Sequence, residues 1–260
     1  MITKKQIDDL SKHFQIDEFT ILREYLQILF LNYLYKEKGA DKIFFKGGTA
    51  IRLLFGSTRF SEDLDFSVID TRENILKLIS KLEKSIKKEI GSIKISLLYT
   101  GINGLRFRLK YRYPDFKYPL VIRLDFNFIK NVEKEELSPL LTKFPISVFP
   151  LINHLSGKEI LAEKLCAILT RSKGRDLYDT WFLLEKSVVI DNGLLERKLI
   201  ERGERYSQKN LINKIKKYSE RKLELDLQQF LPKSQRKIIG ILKERLEKLL
   251  TADSNSLNFF

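Results

Sequence analysis

Hydrophobic and polar positions follow two different periods along the chain, and the mixture changes near residue 157. Before that point, strand-like and helical patterns are interleaved, and after it the apolar positions recur only at helical spacing. The pattern predicts helices at 3–13, 18–37, 49–55 and 71–90, and strands at 42–45, 63–69, 93–99, 105–112 and 119–128. A last long helix is predicted at 233–250. This order predicts an α/β or α+β fold with a mixed sheet, followed by a helical C-terminal part.

Residues 131–157 interrupt this pattern, with three prolines between positions 139 and 150. Proline clusters between periodic segments are typical of loops, so this stretch is interpreted as a linker or crossover. We therefore expect two domains, residues 1–150 with the sheet and residues 151–260 with helices.

Composition narrows the class of protein. Of the 260 residues, 43% are hydrophobic and 32% charged, as in soluble globular proteins. The sequence shows neither an apolar run of about 20 residues nor the apolar core of a signal peptide, so we expect a cytoplasmic protein without a membrane partner. One cysteine, Cys166, and two histidines argue against a disulfide or a zinc site.

The net charge of +14 changes the picture of possible partners. Residues 1–150 hold 26 basic and 19 acidic residues and the remainder 22 and 15, so each part carries +7. A positive field of this breadth favours a polyanionic partner such as RNA. A generic lysine-rich surface is the alternative.

Asp63 and Asp65 are the first candidates for chemistry. Two positions apart on a predicted strand, they project from the same face, and such a pair repels unless a cation lies between its members. Mg²⁺ (or Mn²⁺) prefers oxygen ligands and often combines carboxylates with substrate phosphates. Taken alone, the pair is more typical of a solvated surface strand.

A glycine turn precedes this strand. Gly47 and Gly48 allow the backbone to approach a phosphate closely, and the N-terminus of the next predicted helix offers free N–H groups. Thr49 is expected to cap that helix or to bond a phosphate oxygen. An ordinary strand-to-helix turn is the alternative.

Asp125 lies on the polar face of the strand at 119–128, between Arg123 and Asn127. If this strand neighbours 63–69, its carboxylate completes a triad, as a metal ligand or as a base. A salt bridge to Arg123 or to a neighbouring strand explains it equally well.

The helical part carries a further group of charges. Lys164 and Arg171 are seven residues apart and share a helix face, and Asp176 and Asp179 share a face of the next helix, after Gly174. Such cations neutralise a triphosphate if they converge on a metal site. A solvated face with surface ion pairs is the alternative.

Together, FKGGTAIRLLFG at 45–56, RFSEDLDFSV at 59–68 and EKLCAILTRSKGRDLYD at 163–179 resemble nucleotidyltransferases of the DNA polymerase β superfamily. Over roughly residues 40–185 the chain resembles more closely the AbiEii/AbiGii toxin family, which includes MenT-like toxins. The resemblance implies a polymerase-β-like fold, an NTP substrate and a metal. It also implies a toxin–antitoxin context with a cognate antitoxin.

The resemblance also assigns roles to residues. It implies catalytic roles for Asp63, Asp65, Lys164 and Asp176, metal binding by Asp63, Asp65 and Asp125, and nucleotide binding by Gly47, Gly48, Thr49, Arg59, Ser61 and Arg171. Arg52 and Arg59 are expected to contact nucleotide or to brace the carboxylates. The two charged groups are expected to face each other across one pocket.

The function expected from these features is metal-dependent transfer of NMP from an NTP to an RNA acceptor, with the tRNA 3′ end favoured because some members of the family add nucleotides there. Pyrophosphate is the leaving group. An enzyme that nucleotidylates protein side chains, including its own, is the first alternative. A non-catalytic nucleotide- or RNA-binding module is the second.

Overall fold

The protein consists of two compact units that divide after Leu155 in a computed structural model, which describes residues 1–140, 142–146, 150–171 and 173–256. The predicted domain boundary at 150/151 lies just before the last strand of the first unit. Each unit contains its own set of buried apolar side chains, as independently packed units do.

The N-terminal unit holds the strands. Its helices are α1 (Lys4–Phe14), α2 (Glu18–Leu34), α3 (Gly47–Leu54) and α4 (Arg72–Glu89), with a short 3₁₀ turn at Ala40–Lys42. Its strands are β1 (Ile43–Lys46), β2 (Leu64–Val68), β3 (Ile93–Gly101), β4 (Gly104–Tyr111), β5 (Leu120–Phe128), β6 (Glu135–Pro139) and β7 (Leu151–Leu155). All four helices and the first five strands agree with the predicted segments to within a few residues at each end.

These strands form one seven-stranded sheet in the order β3-β4-β5-β2-β1-β7-β6. The β2–β5 and β1–β7 pairs are parallel, and the other four pairs are antiparallel. The predicted mixed sheet is therefore confirmed. The parallel β2–β5 pair lies in the middle of the sheet and brings together two segments that are distant in sequence.

The prediction of a linker across 131–157 is wrong, because this stretch supplies β6 and β7. In β6 every residue is exposed or half-buried, so no alternation of apolar and polar positions marks it. The five residues of β7 are too few to show a period. Both strands are specified by pairing with distant partners, which local patterns do not report.

Packing around the central strands follows the apolar pattern of the sequence. Helix α2 is buried almost all round, as its apolar pattern predicts, and Asp17 caps its N-terminus by accepting from the Thr20 N–H. The alternating strands β4 and β5 bury their apolar faces. Phe66 of β2 stacks on Phe126 of β5 with ring centroids 4.8 Å apart. The polar faces of the same strands consequently point to the opposite side of the sheet.

The C-terminal unit contains the helices α5 (Gly157–Thr170), α6 (Gly174–Glu185), α7 (Asn192–Ile200), α8 (Gln208–Lys217), α9 (Glu220–Leu227) and α10 (Leu242–Ser256). The single long helix predicted at 233–250 is wrong, because Lys233–Ile241 is a 3₁₀ segment that leads into α10. Gly240 at this junction lowers the preference for a continuous α-helix. Within the described ranges, no helix combines the length and apolar character required to span a membrane.

Candidate active site

The polar face of the sheet carries a row of four charged residues on adjacent strands. Asp65 of β2 is in register with Asp125 of β5, a parallel pair, and Arg106 of β4 is in register with Asp125. On the other side, Lys46 of β1 is in register with Asp65. Neighbouring strands lie about 4.8 Å apart, so in-register side chains on one face are in direct reach of each other. The sheet thus places two carboxylates between two cations.

Two arginines occupy positions beside these carboxylates. Arg106 donates from Nε to Asp125 Oδ1 at 2.5 Å, and Arg123 forms an ion pair with Asp125 in which Nε lies 3.1 Å from Oδ2. Arg123 also contacts the carboxylate of Asp63, which lies just before β2. The hydrogen bond to Asp125 raises the pKa of Arg106 above its ordinary value. The salt bridges considered for Asp125 are therefore present, both to Arg123 and to a neighbouring strand, and among the three acids arginines contact Asp63 and Asp125.

The glycine turn approaches this row directly. Gly47 has a φ of +80°, a left-handed conformation that favours glycine. A Cβ at this position would clash with Asp65 Oδ2, so only a residue without a side chain fits next to the carboxylate. Helix α3 begins at Gly47, and its first N–H groups have no partners within the helix. The start of α3 consequently lies directly beside the carboxylate of Asp65.

Thr49 lies one turn inside this helix and has a structural contact. Its side chain is buried, and its hydroxyl donates to the carbonyl of Asp63 at 2.5 Å. The N-cap of α3 is Lys46, without a side-chain cap, so the prediction that Thr49 caps the helix is wrong. Thr49 instead ties the start of α3 to the residue that precedes β2.

Arg59 is 2% exposed and lies against the glycine turn. A Cβ at Gly48 would clash with its Nη2 and would lie 3.0 Å from Ser61 Oγ. Arg59 Nη1 donates to the carbonyl of Phe60 at 2.9 Å. The burial of Arg59 places its guanidinium against the backbone of the turn, and a direct contact with nucleotide requires the guanidinium to leave this buried site. Ser61 is half-buried at the edge of the same turn.

Arg52 braces the helices. Its guanidinium donates to both carboxylate oxygens of Glu24, at 2.8 and 3.2 Å, and to the carbonyl of Ser57 at 2.7 Å. It also stacks over the ring of Phe60 at 3.9 Å. Arg52 is paired in this way with a buried glutamate of α2 and fixes α3 in place. Its guanidinium does not contact the carboxylate row, the line of charged residues that contains Asp65 and Asp125.

The three carboxylates Asp63, Asp65 and Asp125 have the donor chemistry of a site for a divalent metal. In the part of the chain that the structure describes, no three His, Cys, Asp or Glu side chains converge as a formed metal site. Asp63, Asp65 and Asp125 nevertheless offer only oxygen donors, the chemistry that Mg²⁺ prefers. Gly47 leaves the Asp65 carboxylate room on one side. The residues fit a hard cation in their chemistry, provided that the arginines move aside.

The C-terminal unit contains a second charged cluster. Lys164 of α5 pairs with Asp176 Oδ1 at 3.2 Å and with Asp179 Oδ2 at 2.8 Å, both on α6. The guanidinium of Arg171 donates twice to Asp176, at 3.1 Å each. The side chain of Lys164 is 12% exposed, and those of Asp176 and Asp179 are 2% and 1% exposed. The solvated-face interpretation is therefore wrong for Lys164, although the Arg171 side chain is 57% exposed.

Two residues that the sequence did not single out support this cluster. The backbone N–H of Gly174, at the start of α6, donates to Asp226 Oδ2 at 2.7 Å and to Tyr218 Oη at 2.9 Å. The Tyr218 hydroxyl donates to Asp226 at 2.8 Å. Burial, together with this hydrogen bond, raises the pKa of Tyr218 to about 12. Neither residue belongs to a motif, so no signal in the sequence pointed to them.

Comparison with solved structures places this fold among nucleotidyltransferases. The chain is similar to the nucleotidyltransferase toxin MenT4 of Mycobacterium tuberculosis H37Rv, at 20% identity and a TM-score of 0.64, covering 98% of this chain and 90% of that one. A putative nucleotidyltransferase of Helicobacter pylori is similar at 20% identity and a TM-score of 0.61, covering 93% and 97% of the two chains. At these identities the likeness is one of fold.

The family follows from a match in sequence. The family model described as "Nucleotidyl transferase AbiEii toxin, Type IV TA system" matches residues 29–251, so the chain belongs to this family of nucleotidyltransferase toxins. An uncharacterized protein of Aquifex aeolicus (strain VF5) is 28% identical over 154 residues. That match covers 56% of this chain and spans 59% of the length of the relative. The predicted family is thereby confirmed.

Proposed function

We propose that the protein transfers NMP from an NTP to the 3′ end of an RNA, with tRNA as the favoured acceptor, in a reaction that depends on Mg²⁺ or Mn²⁺. The observation that carries the proposal is the register of Asp65 with Asp125 beside a glycine turn at which a helix begins. Membership of a nucleotidyltransferase toxin family supports it. The positive charge of +14 supports a polyanionic acceptor.

Each group of the N-terminal unit has a distinct role in this proposal. Asp63, Asp65 and Asp125 would hold a divalent cation, which would supply positive charge to the triphosphate. The N–H groups at Gly47 and Gly48 approach the phosphates, where the start of α3 favours negative charge. The arginines that now contact Asp63 and Asp125 would turn to phosphate oxygens when a cation takes their place.

The bond changes are those of an in-line displacement. The acceptor 3′ oxygen forms a bond to the α-phosphorus while the bond to the bridging oxygen of the β-phosphate breaks, and that oxygen leaves with its electron pair in pyrophosphate. Asp125 is the carboxylate proposed to accept the proton of the 3′ hydroxyl. The RNA gains one nucleotide, and the NTP is converted into that NMP unit and pyrophosphate.

Lys164, Arg171 and Asp176 are proposed as residues that the same reaction requires. Their support is the family resemblance together with the burial of the Lys164–Asp176 pair, which holds Lys164 in one position. Lys164→Met is expected to lower the rate of transfer while leaving NTP-independent RNA binding unchanged. If this variant transfers nucleotide at the wild-type rate and is folded, Lys164 has no part in the reaction.

A transfer assay tests the proposal. The protein is incubated with Mg²⁺ and each α-labelled NTP in turn, together with total tRNA, and the products are separated into RNA and protein. Label on the RNA that disappears after 3′-end blocking by periodate is the expected result. Label on protein would select the alternative of a protein- or self-nucleotidylating enzyme.

The assay also tests whether the protein is a catalyst at all. Asp63→Ala is expected to abolish transfer and, in cells, growth inhibition. If growth inhibition survives in this variant while transfer is absent in the wild type, the protein acts as a nucleotide- or RNA-binding module. A cognate antitoxin, co-expressed, is expected to suppress the growth defect of the wild type.

A further inference from the structure

A pocket of about 620 Å³ opens beside the carboxylate row, on the side away from the glycine turn. Arg106 and Asp125 line it together with the hairpin turn between β3 and β4 and with Arg72 at the start of α4. Pockets that hold small ligands enclose roughly 300–1,000 Å³, so this one has the size for a nucleoside. The row thus has an anion site at one end and a cavity at the other.

The charged row extends into this pocket by one more strand. Tyr99 of β3 is in register with Arg106, so the full row across five strands reads Lys46, Asp65, Asp125, Arg106 and Tyr99. Tyr99 lies two strands across the sheet from Asp125, and this separation corresponds to about 10 Å. The strand position of Tyr99 is therefore about one nucleoside length from that of Asp125, the carboxylate proposed as the base.

A β-bulge produces this alignment. Leu97 pairs with Phe107, Leu98 is the extra residue, and Tyr99 pairs with Arg106. Without the bulge, Leu98 would stand opposite Arg106. Bulges redirect side chains and are frequent next to active sites. The irregularity in β3 replaces an aliphatic side chain at the end of the row with an aromatic one.

The ring of Tyr99 is held in a defined place although its residue is 58% exposed. A Cβ at Gly101 would clash with Tyr99 Oη, so the ring lies along the strand over a glycine. Arg72 fixes the same segment by donating from Nη2 to the carbonyl of Gly101 at 2.6 Å. The pocket therefore combines an exposed aromatic ring with two arginines, Arg72 and Arg106, at its walls.

We infer that this pocket binds the 3′-terminal nucleotide of the RNA acceptor, with its base on Tyr99 and its 3′ hydroxyl directed at Asp125. The inference rests on the proposed function and adds the position of the acceptor. Aromatic rings bind bases of single-stranded RNA by stacking, and arginines bind the adjoining phosphates. With the triphosphate at the glycine turn, the acceptor approaches from the opposite side of the carboxylates, as in-line displacement requires.

Photo-crosslinking tests the site independently of catalysis. A short single-stranded RNA with 4-thiouridine at its 3′ end is irradiated with the full-length protein in EDTA, and the adduct is mapped by mass spectrometry. We expect the adduct within residues 99–106, and far less of it when the thiouridine is at the 5′ end. Adducts spread over the lysine-rich surface, with no preference for this segment, would overturn the inference.

Steady-state kinetics provides the second measurement. Tyr99→Ala is expected to raise the KM for RNA roughly ten- to hundredfold while leaving the KM for NTP unchanged. Tyr99→Phe retains the ring and is expected to stay near the wild type. Tyr118→Ala is the matched control, because Tyr118 is 67% exposed in the same unit and does not line the pocket.

The two measurements separate this inference from the proposed function. If the wild type extends RNA and Tyr99→Ala does so with an unchanged KM for RNA, the acceptor lies elsewhere and only the inference fails. If the wild type labels protein and the 3′-thiouridine adduct is absent, the RNA acceptor and its pocket both fail. An adduct within residues 99–106 without transfer would retain the pocket and reject the activity.

Discussion

The arginines of the first charged cluster and Lys164 of the second differ in how far water reaches them, whereas Arg171, the other cation of the second cluster, is 57% exposed. In the N-terminal unit, the side chains of Arg106 and Arg123 are 46% exposed although their partner Asp125 is 14% exposed. In the C-terminal unit, Lys164 is 12% exposed and its partner Asp179 is 1% exposed. Exposed ion pairs contribute little to stability and exchange partners readily, whereas buried pairs are costly to break.

This difference indicates that the charged side chains of the two clusters are held in place with different firmness. The carboxylates of the first cluster can release their arginines when a metal or a phosphate competes for them. Lys164 of the second cluster has less freedom, because separating it from Asp176 and Asp179 removes the attraction between side chains that are almost fully buried. One cluster is therefore suited to exchange ligands during a reaction, and the other to hold a lysine in one place.

The largest effect is expected for Asp65→Asn, which tests whether the first cluster performs chemistry. Removing this charge is expected to lower the rate of nucleotide transfer by roughly a thousandfold, since metal-assisted charge stabilisation contributes several kcal/mol. Initial rates with labelled NTP measure it. Asp115→Asn, an exposed acid in the same unit, is the control and should keep the wild-type rate. Equal losses in both variants would contradict a specific role for Asp65.

Asp179→Ala removes one acid of the second cluster and tests how much this cluster contributes to the stability of the C-terminal unit. The free energy of unfolding of the C-terminal unit is expected to fall by about 3 kcal/mol, the usual cost of leaving a buried charge unpaired. Urea titration followed by the fluorescence of Trp181, the one tryptophan in the chain, measures this unit alone.

Asp125→Ala provides the comparison for that measurement in the N-terminal unit. Because the arginines of Asp125 are exposed, its removal is expected to cost about 1 kcal/mol or less, as measured by circular dichroism. Similar costs for both variants would erase the distinction between the clusters.

Gly47→Ala sharpens the comparison by crowding the first cluster without removing a charge. Forcing a side chain into the left-handed conformation is expected to cost about 1 to 2 kcal/mol of stability, and the new Cβ would displace the Asp65 carboxylate. Transfer activity should therefore fall as well. Gly56→Ala is the matched control, because Gly56 has a φ of +77° with open space around it. Activity loss in both variants would implicate general instability.

Tyr218→Phe tests how the second cluster is supported and has a small expected effect. At neutral pH, loss of this hydroxyl is expected to cost about 1 kcal/mol in the C-terminal unit, the typical net value of one hydrogen bond. The folded state raises the pKa of Tyr218 from 10.0 to about 12. The stability it contributes is thus complete below pH 10 and is lost as the pH rises toward 12.

That pH dependence can be measured in the C-terminal unit by Trp181 fluorescence during urea unfolding. The wild type is expected to lose stability more steeply than Tyr218→Phe between pH 10 and pH 12. Parallel curves for the two proteins would show that Tyr218 does not hold its proton in the way its contacts with Gly174 and Asp226 indicate.

Local patterns predicted most of the fold, and the failures have a common physical cause. Strands β4 and β5 alternate strictly because one face is buried, so their sequence reports their structure. Strands β6 and β7 depend on partners far along the chain, and their sequence shows no period. The segment Lys233–Ile241 has helical spacing but forms a 3₁₀ helix, a distinction that apolar spacing does not encode.

In the candidate site, too, local sequence patterns report neighbours in the chain and do not report contacts between distant segments. Asp63, Asp65 and the glycine turn lie close together in the sequence, so they could be recognised as a motif. The register of Asp65 with Asp125 required the β2–β5 pairing, which the sequence could only suggest. The burial of Arg59 was not foreseen, since arginines are mostly exposed and only tertiary packing decides otherwise.

The parallel pairing of β2 with β5 has a consequence for the time at which activity can arise. The glycine turn and Asp65 are close in sequence, whereas Asp125 follows Asp65 by about 60 residues and Lys164 comes later still. A chain that emerges from the ribosome N-terminus first can form the turn with Asp65 long before it holds the complete set. A chain that ends before Asp125 therefore lacks one of the carboxylates proposed for transfer, and a chain that ends before Lys164 lacks the second cluster as well.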